Sequence, residues 1–471
     1  MPQRRSRISP SLAQSELASA LAALREGLEV PEFSAAALAE AGAASAPTPA
    51  LDLRDVPFAT LDPVGSRDLD QAFRLERRGD GYTVRYAIAD VPGFIVPGGA
   101  LDAAARERGE TLYAADGTIP LHPRVLSEGS ASLLPGVDRP ALVWTFALDA
   151  TGAVTSTRLE RALIRSRVQL DYAGVQAELD AGRDTPAALL PEIGRLRLER
   201  EAARGGASLN LPDDEVVKVD GGYGIVRRSP LPVEEWNAQL SLMTGMAAAE
   251  LMLEARVGIL RTMPQPDEAA FTEFRRQTRV LGVPWTSGRY GDYLRGLDRD
   301  DPLTLPVLEA AAPLFRGAGY VAFDGEVPDE TLQAAIGAPY AHATAPLRRL
   351  VDRWSLAVSL AVSEGREVPE WVRESLPEVP ALMRAAAQRG SSLGARTLDL
   401  VEAALLAPRV GHVFAGAVIR RSSASRGTVQ LADPPVTTSV ELPDAVAPGD
   451  EVRLRLTDAD VATGRAEFEL A

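Results

Sequence analysis

The stretch FATLDPVGSRDLDQAF, residues 58–73, determines how this sequence is interpreted. Phe58–Leu61 is an apolar run that predicts a short buried strand, and the strand ends at Asp62. A turn containing proline and glycine follows, and then come Asp68 and Asp70. Residues two apart in extended backbone share a face, so these two side chains point the same way. The spacing therefore predicts three carboxylates that converge where a strand ends.

Three clustered carboxylates repel one another, so a cation or raised pKa values must compensate them. Hard oxygen ligands of this kind select Mg²⁺, with Mn²⁺ as a second choice, and Mg²⁺ commonly shares its site with substrate phosphates. Metal ions held in this way stabilise the attacking and leaving oxygens of phosphodiester cleavage. The alternative interpretation is an acidic turn in solvent or an adventitious Ca²⁺ loop, which is the commoner meaning of such a spacing taken alone.

The composition is that of a globular protein of two to four domains, with 471 residues, 46% of them hydrophobic and 24% charged. The chain has no cysteine, which excludes disulfides, zinc–thiolate sites and cysteine nucleophiles. Its 3 histidines disfavour a multi-histidine metal site. The net charge of −15 disfavours nucleic acid as a partner, but a groove can be locally positive on an acidic body.

Nothing in the sequence indicates a membrane partner, because no run approaches the roughly 18 apolar residues of a spanning helix. The N-terminus begins as MPQRRSR and continues as a polar-faced helix pattern instead of the apolar core of a signal peptide. These features predict a cytoplasmic protein. They identify no protein partner.

The N-terminal region, residues 1–47, is predicted to contain two short helices at about 9–28 and 33–43, the second capped by Ser34. The short connection VPEFS makes the pair resemble a helix-turn-helix unit. A plain helical hairpin packed on the main domain explains the same pattern equally well. The sequence leaves these two interpretations open.

The rest of the chain divides into two further predicted domains. Residues 48–406 mix short strands with longer helices and predict one large α+β domain. Residues 409–471 alternate polar and apolar positions between turns and predict four or five strands of a small OB-type barrel. The predicted fold class is an α+β multidomain protein with a short N-terminal helical segment and a C-terminal OB-fold β-barrel.

The run from Asp62 to Phe73 resembles the catalytic signature of the ribonuclease II and ribonuclease R family, whose catalytic module is the RNB domain. The segment YAHATAPLRRLVDR, residues 340–353, resembles a second family signature, YAHFTSPIRRYxD. The segments YAIADVPGFIVPGG and QLDYAGV match the family in the same order. The likeness covers roughly residues 50–406, and the predicted barrel lies where the family has an S1-type RNA-binding domain.

This resemblance implies a metal-dependent, hydrolytic 3′→5′ exoribonuclease that acts on RNA with a free 3′ end and releases nucleoside 5′-monophosphates. It implies that Asp62, Asp68 and Asp70, together with Gln71, bind the metal, which would be Mg²⁺ or Mn²⁺. Asp70 is then the carboxylate whose loss stops catalysis but spares RNA binding. Arg348 matches the catalytic arginine that contacts the scissile phosphate.

The resemblance also implies the residues that hold RNA. Tyr113 falls where the family stacks a tyrosine on the 3′-terminal base, and Tyr172 falls where a second, catalytic tyrosine lies near the scissile phosphate. Base stacking contributes about 1–3 kcal/mol and tolerates every base. Leu211 stands where a second aromatic normally clamps that base, and His342 and Arg349 complete the RNA-binding candidates. For His342, a hydrogen-bonded structural role is the alternative.

The second signature is also predicted to begin a helix over residues 344–363. Thr344 would cap this helix and Pro346 would stand in its first turn. Arg348 would then lie near a helix N-terminus, where backbone donors attract phosphate.

Several departures from the family pattern leave a second function open. Gln71 replaces an aspartate, Leu211 replaces an aromatic residue, and a late glutamate is missing near residues 395–396. The two cold-shock barrels of the family have no counterpart before Asp62, which implies a divergent bacterial branch with a more open entrance for RNA. The alternative is a catalytically weak or inactive RNA-binding regulator on the same fold. Retention of the three aspartates and Arg348 favours the enzyme, because binding alone needs no convergent acids.

Overall fold

The computed structural model describes residues 12–209, 213–219, 222–298, 301, 303–421, 423 and 425–471. These residues form an N-terminal helical pair, a large mixed α+β body and a five-stranded C-terminal sheet, which confirms the predicted fold class. In this part of the chain, no helix combines the length and the hydropathy that crossing a membrane requires.

The helices of the described residues alternate with strands throughout the body. The α-helices are α1 (Leu12–Glu26), α2 (Ala35–Ala43), α3 (Val91–Phe94), α4 (Ala100–Arg108), α5 (Tyr172–Asp180), α6 (Leu190–Arg204), α7 (Pro232–Ala255), α8 (Glu268–Val280), α9 (Tyr290–Arg295), α10 (Thr304–Ala311), α11 (Leu350–Ser363), α12 (Glu370–Ser375) and α13 (Val379–Leu406). Shorter turns are a π-helical turn at Leu126–Ser130 and 3₁₀ turns at Ala312–Phe315, Leu376–Glu378 and Ala407–Arg409.

The strands of the described residues fall into two larger sheets and several two-stranded sheets. They are β1 (Leu51–Asp52), β2 (Phe58–Asp62), β3 (Gln71–Arg78), β4 (Gly81–Ala89), β5 (Leu112–Ala114), β6 (Gly117–Ile119), β7 (Asp138–Leu148), β8 (Val154–Asp171), β9 (Asp213–Val219), β10 (Gly222–Arg228), β11 (Val257–Thr262), β12 (Gly319–Asp324), β13 (Leu332–Gln333), β14 (Ala338–Pro339), β15 (Val413–Arg421), β16 (Arg426–Leu431), β17 (Thr437–Glu441), β18 (Glu451–Asp460) and β19 (Arg465–Leu470).

The N-terminal helices pack on the body. Ser34 caps α2 as predicted, because its Oγ accepts the Ala37 N–H at 3.1 Å. Leu17, Leu21 and Leu24 recur every three or four residues, so they share one face of α1 and are buried in a cluster with residues of α13.

The main sheet has the strand order β1-β8-β2-β3-β4-β7. Strand β7 pairs with β4 on one side and with the first part of β8 on the other, while the last part of β8 pairs with β2. The strands β2, β3, β4, β7 and β8 therefore close on themselves. Because β2 and β8 are parallel, their carboxyl ends meet at one edge of this sheet.

The main core lies between this sheet and helices α7 and α11. Trp144 and Phe146 of β7 belong to the same buried cluster as Met243 of α7 and Trp354 of α11. Each large apolar side chain buried in this way contributes about 1.5–3 kcal/mol to stability. Helix α11, which follows the second signature, is therefore held firmly against the sheet.

The C-terminal sheet has the order β17-β16-β15-β18-β19, and the outer strands β17 and β19 approach one another, so the barrel is nearly closed. Alternate residues of β18, including Val452, Leu454 and Leu456, point into its core. The prediction of an OB-type barrel in this region is confirmed.

Candidate active site

Strands β2 and β8 end side by side, with Asp62 of β2 in register with Asp171 of β8. Asp171 caps helix α5, because its carboxylate accepts the Gly174 N–H at 2.8 Å. Helix α5 begins at Tyr172, so the cap fixes the backbone from which this tyrosine projects. Asp62 and Tyr172 thus lie at the same edge of the sheet.

The loop that carries Asp68 is tied to a neighbouring segment by backbone hydrogen bonds. Leu69 N–H donates to Ser132 Oγ at 3.0 Å, and the Ser132 hydroxyl donates to the Arg67 carbonyl at 2.6 Å. Leu133 N–H donates to the Leu69 carbonyl at 3.0 Å, and the Leu69 side chain is fully buried. These contacts fix the backbone on both sides of Asp68.

Asp70 is buried and receives two partners from one turn of the second signature. The Leu347 N–H donates to Asp70 Oδ1 at 2.7 Å, and Arg348 Nε lies 3.5 Å from Asp70 Oδ2. The Arg348 side chain is 46% exposed, so one face of its guanidinium remains open to a ligand. The fold therefore brings together two signatures that are far apart in sequence.

The turn that carries Arg348 precedes helix α11 and does not belong to it. The helix begins at Leu350, so the predicted start at Thr344 and the placement of Pro346 in the first helical turn are wrong. The physical reason is that Arg349 has extended backbone, with φ −131° and ψ 123°, and pairs with Glu110, which separates the turn at residues 345–349 from the helix. Arg348 lies in a turn immediately before Arg349, the N-cap residue of α11, so its predicted position near a helix N-terminus is retained.

Buried hydrogen bonds hold this turn in place. The Asp352 carboxylate accepts the Ala345 N–H at 2.7 Å. From the opposite side, the Thr111 N–H donates to the Arg348 carbonyl at 2.9 Å. The guanidinium of Arg348 is thus presented by a rigid backbone.

Seven of the predicted residues meet in one cleft of about 580 Å³. Its floor is the edge where β2 and β8 end, and its walls are the loop after β2, the β5–β6 hairpin and the turn before α11. The seven residues are Asp62, Asp68, Asp70, Gln71, Tyr113, Tyr172 and Arg348.

Burial dominates the electrostatics of the three aspartates. It raises the pKa of Asp62 to about 7 against the opposing charge of Arg348, and Asp68 adds to the rise. Burial also raises the pKa of Asp70 well above its ordinary value, and that of Asp68 less strongly. One oxygen of Asp62, Oδ2, is buried without a hydrogen-bond partner. The charge of Arg348 therefore does not offset the unfavourable burial of these three carboxylates.

A divalent cation fits the chemistry of this edge. The donors are carboxylate oxygens, which Mg²⁺ and Mn²⁺ prefer, and the buried Asp62 oxygen lacks any other partner. In the described part of the chain, however, no three acidic or imidazole groups are already drawn together around one point. Asp62, Asp68 and Asp70 line the cleft as the candidate ligands of such an ion.

Gln71 lines the cleft, but hydrogen bonds engage both ends of its amide. Its Nε2 donates to the Thr344 carbonyl at 2.6 Å, and its Oε1 accepts the Tyr86 hydroxyl at 2.7 Å. The amide thus links the sheet to the turn that carries Arg348. These bonds disfavour the predicted role of Gln71 as a metal ligand.

The two tyrosines differ in exposure. Tyr113 stands on the β5–β6 hairpin with 58% of its surface exposed, and its hydroxyl lies 3.4 Å from Asp68 Oδ2. Tyr172 is half-buried, and its hydroxyl accepts a hydrogen bond from Asn237 Nδ2 at 3.4 Å. Tyr113 therefore offers an open ring for stacking, whereas Tyr172 offers chiefly its hydroxyl.

Two of the predicted RNA-binding residues, His342 and Arg349, do not line the cleft. His342 shares a 2.7 Å hydrogen bond with the Tyr320 hydroxyl, and burial, followed by Arg349, lowers the pKa of its imidazole well below the ordinary value. Arg349 pairs with Asp352 at 2.9 Å. These contacts favour the structural interpretation of His342, and an RNA contact of either residue stays a prediction. Leu211 lies outside the described residues.

Glu128 and His122 are among the residues of the site that sequence reasoning missed. Glu128, on the π-helical turn, lines the cleft. His122 is fully buried with its Nε2 3.3 Å from the Pro346 carbonyl, and burial lowers its pKa to about 4, so it supports the Arg348 turn as a neutral ring. Both belong to the segment that resembles the family, but no spacing rule connects them to Asp68 or to a turn more than 200 residues away.

The family model for the RNB domain matches residues 50–355, well over half of the chain. The chain belongs to the RNB domain family. Residues 412–471 match a second model, the RNase II-type exonuclease C-terminal S1 domain. The predicted family is thereby confirmed, and the S1 match corresponds to the nearly closed barrel.

Relatives with known names support this membership. Ribonuclease R of Escherichia coli is 26% identical over 404 residues, which are 78% of this chain and 48% of that protein. The chain thus spans about half the length of that curated relative. Mycoplasma genitalium RNase R has been solved in complex with ribose-methylated single-stranded RNA. It is 18% identical to this RNB chain with a TM-score of 0.87, and the aligned region is 97% of this chain and 78% of the Mycoplasma chain.

A third relative shows what the fold leaves undecided. Yeast Ssd1, described as a pseudonuclease, is 19% identical with a TM-score of 0.70. The aligned region is 84% of this chain and 51% of the Ssd1 chain. Because a pseudonuclease shares the RNB fold, the fold by itself does not establish catalysis. The residues of the cleft must carry that argument.

Proposed function

We propose that this RNB protein is a metal-dependent 3′→5′ exoribonuclease that hydrolyses RNA with a free 3′ end to nucleoside 5′-monophosphates. The observation that carries the proposal is the meeting of three buried or half-buried aspartates, one half-exposed arginine and one exposed tyrosine in a single cleft. An RNA-binding protein without catalysis has no need of carboxylates whose burial is this unfavourable. A cytoplasmic location remains part of the prediction.

In the proposed complex, the last base of the RNA stacks on the open ring of Tyr113. Stacking on one aromatic ring contributes about 1–3 kcal/mol and does not depend on which base is present. A degradative enzyme needs this indifference, because it must accept each new terminal nucleotide. Preference for RNA over DNA then rests on contacts to the 2′-hydroxyl.

Asp62, Asp68 and Asp70 are the proposed metal ligands, with Mg²⁺ first and Mn²⁺ as the alternative. A divalent cation bound there would polarise the phosphate and favour ionisation of a water molecule. Water adds its oxygen to phosphorus, the bond to the O3′ of the preceding nucleotide breaks, and that oxygen leaves with a proton. The product is then a nucleoside 5′-monophosphate.

Arg348 and Tyr172 complete the proposed catalytic group. The Arg348 guanidinium is held by a rigid turn and faces the cleft, so it can donate to the scissile phosphate as negative charge grows there. The Tyr172 hydroxyl lies at the same edge as Asp62 and can hydrogen-bond the same phosphate. If Arg348 donated to the phosphate instead of contacting Asp70, the Asp70 carboxylate would be available to hold a divalent cation.

The alternative function is an RNA-binding regulator without nuclease activity. The fold likeness to a pseudonuclease is compatible with this alternative, but the family match and the relatives named Ribonuclease R favour the enzyme. The two functions differ in what they do to a labelled RNA, so one assay separates them.

The test is incubation of 5′-labelled single-stranded RNA with the protein in Mg²⁺, in Mn²⁺ and in chelator, beside DNA of the same sequence. The proposal predicts products shortened from the 3′ end only with metal and only from RNA, with nucleoside 5′-monophosphates released. RNA that is bound but not cleaved with either metal would establish the regulator instead.

A further inference from the structure

One carboxylate in the cleft is shared by two arginines. Glu128 Oε1 accepts a hydrogen bond from Arg124 Nη1, and Glu128 Oε2 lies 3.9 Å from Arg67 Nε. All three residues line the same cleft as Asp68. None of them is assigned a part in the catalytic group described above.

The arrangement has the form of a phosphate site. Two guanidiniums that face the two oxygens of one carboxylate can equally face two non-bridging oxygens of an RNA phosphate. The side chains of Arg67 and Arg124 are 65% and 55% exposed, whereas Glu128 is only 22% exposed. Exposed ion pairs contribute little to stability, so a phosphate can displace the carboxylate at small cost.

The position of Arg124 indicates which phosphate of the RNA these arginines would bind. Arg124 Nη2 donates to the Thr118 carbonyl at 3.2 Å, and Thr118 is the cross-strand partner of Tyr113 in the β5–β6 hairpin. Arg124 is therefore held beside the strand whose tyrosine is proposed to stack on the terminal base. A phosphate bound there belongs to the last few nucleotides of the RNA.

We propose that Arg67 and Arg124 form a second phosphate-binding subsite, distinct from Arg348, and that Glu128 occupies this subsite until RNA displaces it. The inference rests on the proposed function only in taking RNA as the ligand. Glu128 thus competes with RNA for this subsite, since its carboxylate and the RNA phosphate bind the same two guanidiniums.

The experiment measures binding of a single-stranded RNA of fixed sequence in chelator, across a range of salt concentrations. Arg67→Ala and Arg124→Ala are each expected to lower the slope of log K against log salt by about 0.7, the value for one lost single-strand phosphate contact. Arg67→Lys and Arg124→Lys should keep the slope, because the charge remains, and lose only part of the affinity.

Glu128→Gln is expected to change the affinity for RNA in the opposite direction. It is expected to tighten RNA binding by about two- to fivefold, the range that exposed ion pairs give. In the Arg67→Ala/Arg124→Ala background the same substitution should have no effect, because the competition needs the arginines. This double-mutant cycle separates competition from a general gain of positive charge.

The matched controls are Arg366→Ala and Glu364→Gln, an exposed pair that does not line the cleft. Neither control should change the affinity or the slope. The inference is overturned if the arginine variants, shown to be folded by circular dichroism, keep the parent slope. It is also overturned if Glu128→Gln tightens binding equally in both backgrounds. Parent protein that binds RNA as predicted but cleaves none in Mg²⁺ or Mn²⁺ would refute the proposed nuclease and leave the subsite standing.

Discussion

Aspartates at two places on the main sheet have opposite surroundings. At the partly exposed start of β7, the outer aspartate, Asp138, accepts hydrogen bonds from Arg165 and then Arg54, which lower the pKa of its carboxyl. In the cleft, burial raises the pKa of Asp62 to about 7 and that of Asp70 well above its ordinary value, with Arg348 as a partial counterweight. The outer acid stabilises the fold as an anion, whereas the cleft acids cost stability until something positive binds.

The comparison explains why we assign function to one set of acids and not to the other. Strongly perturbed carboxylates in a cleft are typical of catalytic and metal sites, whereas acids paired with arginine at a surface are typical of structural ion pairs. Experiments that substitute aspartates of both sets in parallel test this distinction.

The largest effect is expected from Asp70→Asn. The substitution removes a proposed metal ligand, so the turnover number should fall by about a thousandfold or more, equivalent to several kcal/mol of transition-state stabilisation. RNA affinity in chelator should stay within a few-fold of the parent. Asp138→Asn is the matched control and should leave turnover unchanged. A turnover number that survives in the Asp70→Asn variant would remove Asp70 from the catalytic group.

The next largest effect is the pH dependence of stability that His122 contributes. Its pKa is about 4 in the folded protein against an ordinary 6.5, so the unfolded chain takes up the proton first as pH falls. Stability should therefore decline between about pH 6.5 and pH 4, by at most about 3 kcal/mol from this group.

Thermal unfolding midpoints at pH 7 and pH 4.5 measure this decline. His122→Gln, which keeps a hydrogen-bond donor for the Pro346 carbonyl but has no ring to protonate, should show a shallower decline than the parent. Equal pH dependence in the two proteins would show that the buried imidazole does not contribute.

Tyr113→Ala tests the RNA-binding wall of the cleft. Loss of one stacking ring should weaken RNA binding in chelator by about 1–3 kcal/mol, regardless of the terminal base. Tyr113→Phe keeps the ring and should bind like the parent, although its hydroxyl contact with Asp68 is gone. Weakening by the phenylalanine variant as large as that by alanine would assign the role to the hydroxyl and not to stacking.

The smallest expected effect is on stability, and it is measured by substituting one aspartate of each set. In chelator, Asp62→Asn should raise the stability of the metal-free protein by about 1 kcal/mol, because it removes an uncompensated buried charge. Asp138→Asn should lower the unfolding midpoint, since Arg165 and Arg54 lose their partner. Added Mg²⁺ should raise the midpoint of the parent but not that of Asp62→Asn. A shift of the same sign for both substitutions would contradict the distinction.

The sequence predicted those parts of the site that lie in short continuous signatures. Asp62, Asp68 and Asp70 follow a recognisable strand end, and Arg348 stands in a second signature, so their meeting in one cleft was expected. The nearly closed barrel was also expected, since alternation along β15–β19 is a local pattern with period two.

What the sequence could not supply depends on contacts between distant segments. The amide of Gln71 donates to the carbonyl of Thr344, 273 positions away, and this contact disfavours the predicted role of Gln71 as a metal ligand. Nor did the sequence place Glu128 against Arg67, because no periodicity relates a π-helical turn to a strand-end loop. The helix was predicted to start too early because the signature is apolar and offers Thr344 as a cap. Nothing in the sequence indicated that Arg349 would pair with Glu110 in extended backbone, which delays the helix to Leu350.

The most direct test of the central claim is calorimetric titration of Mn²⁺ into the protein with ribose-methylated, cleavage-resistant RNA bound. We expect Mn²⁺ to bind the parent in the cleft and to bind an Asp62→Asn/Asp68→Asn variant at least about tenfold more weakly, since two of the three carboxylate ligands are gone. Equal Mn²⁺ affinity of the two proteins, with RNA binding intact in both, would show that these aspartates do not hold the metal.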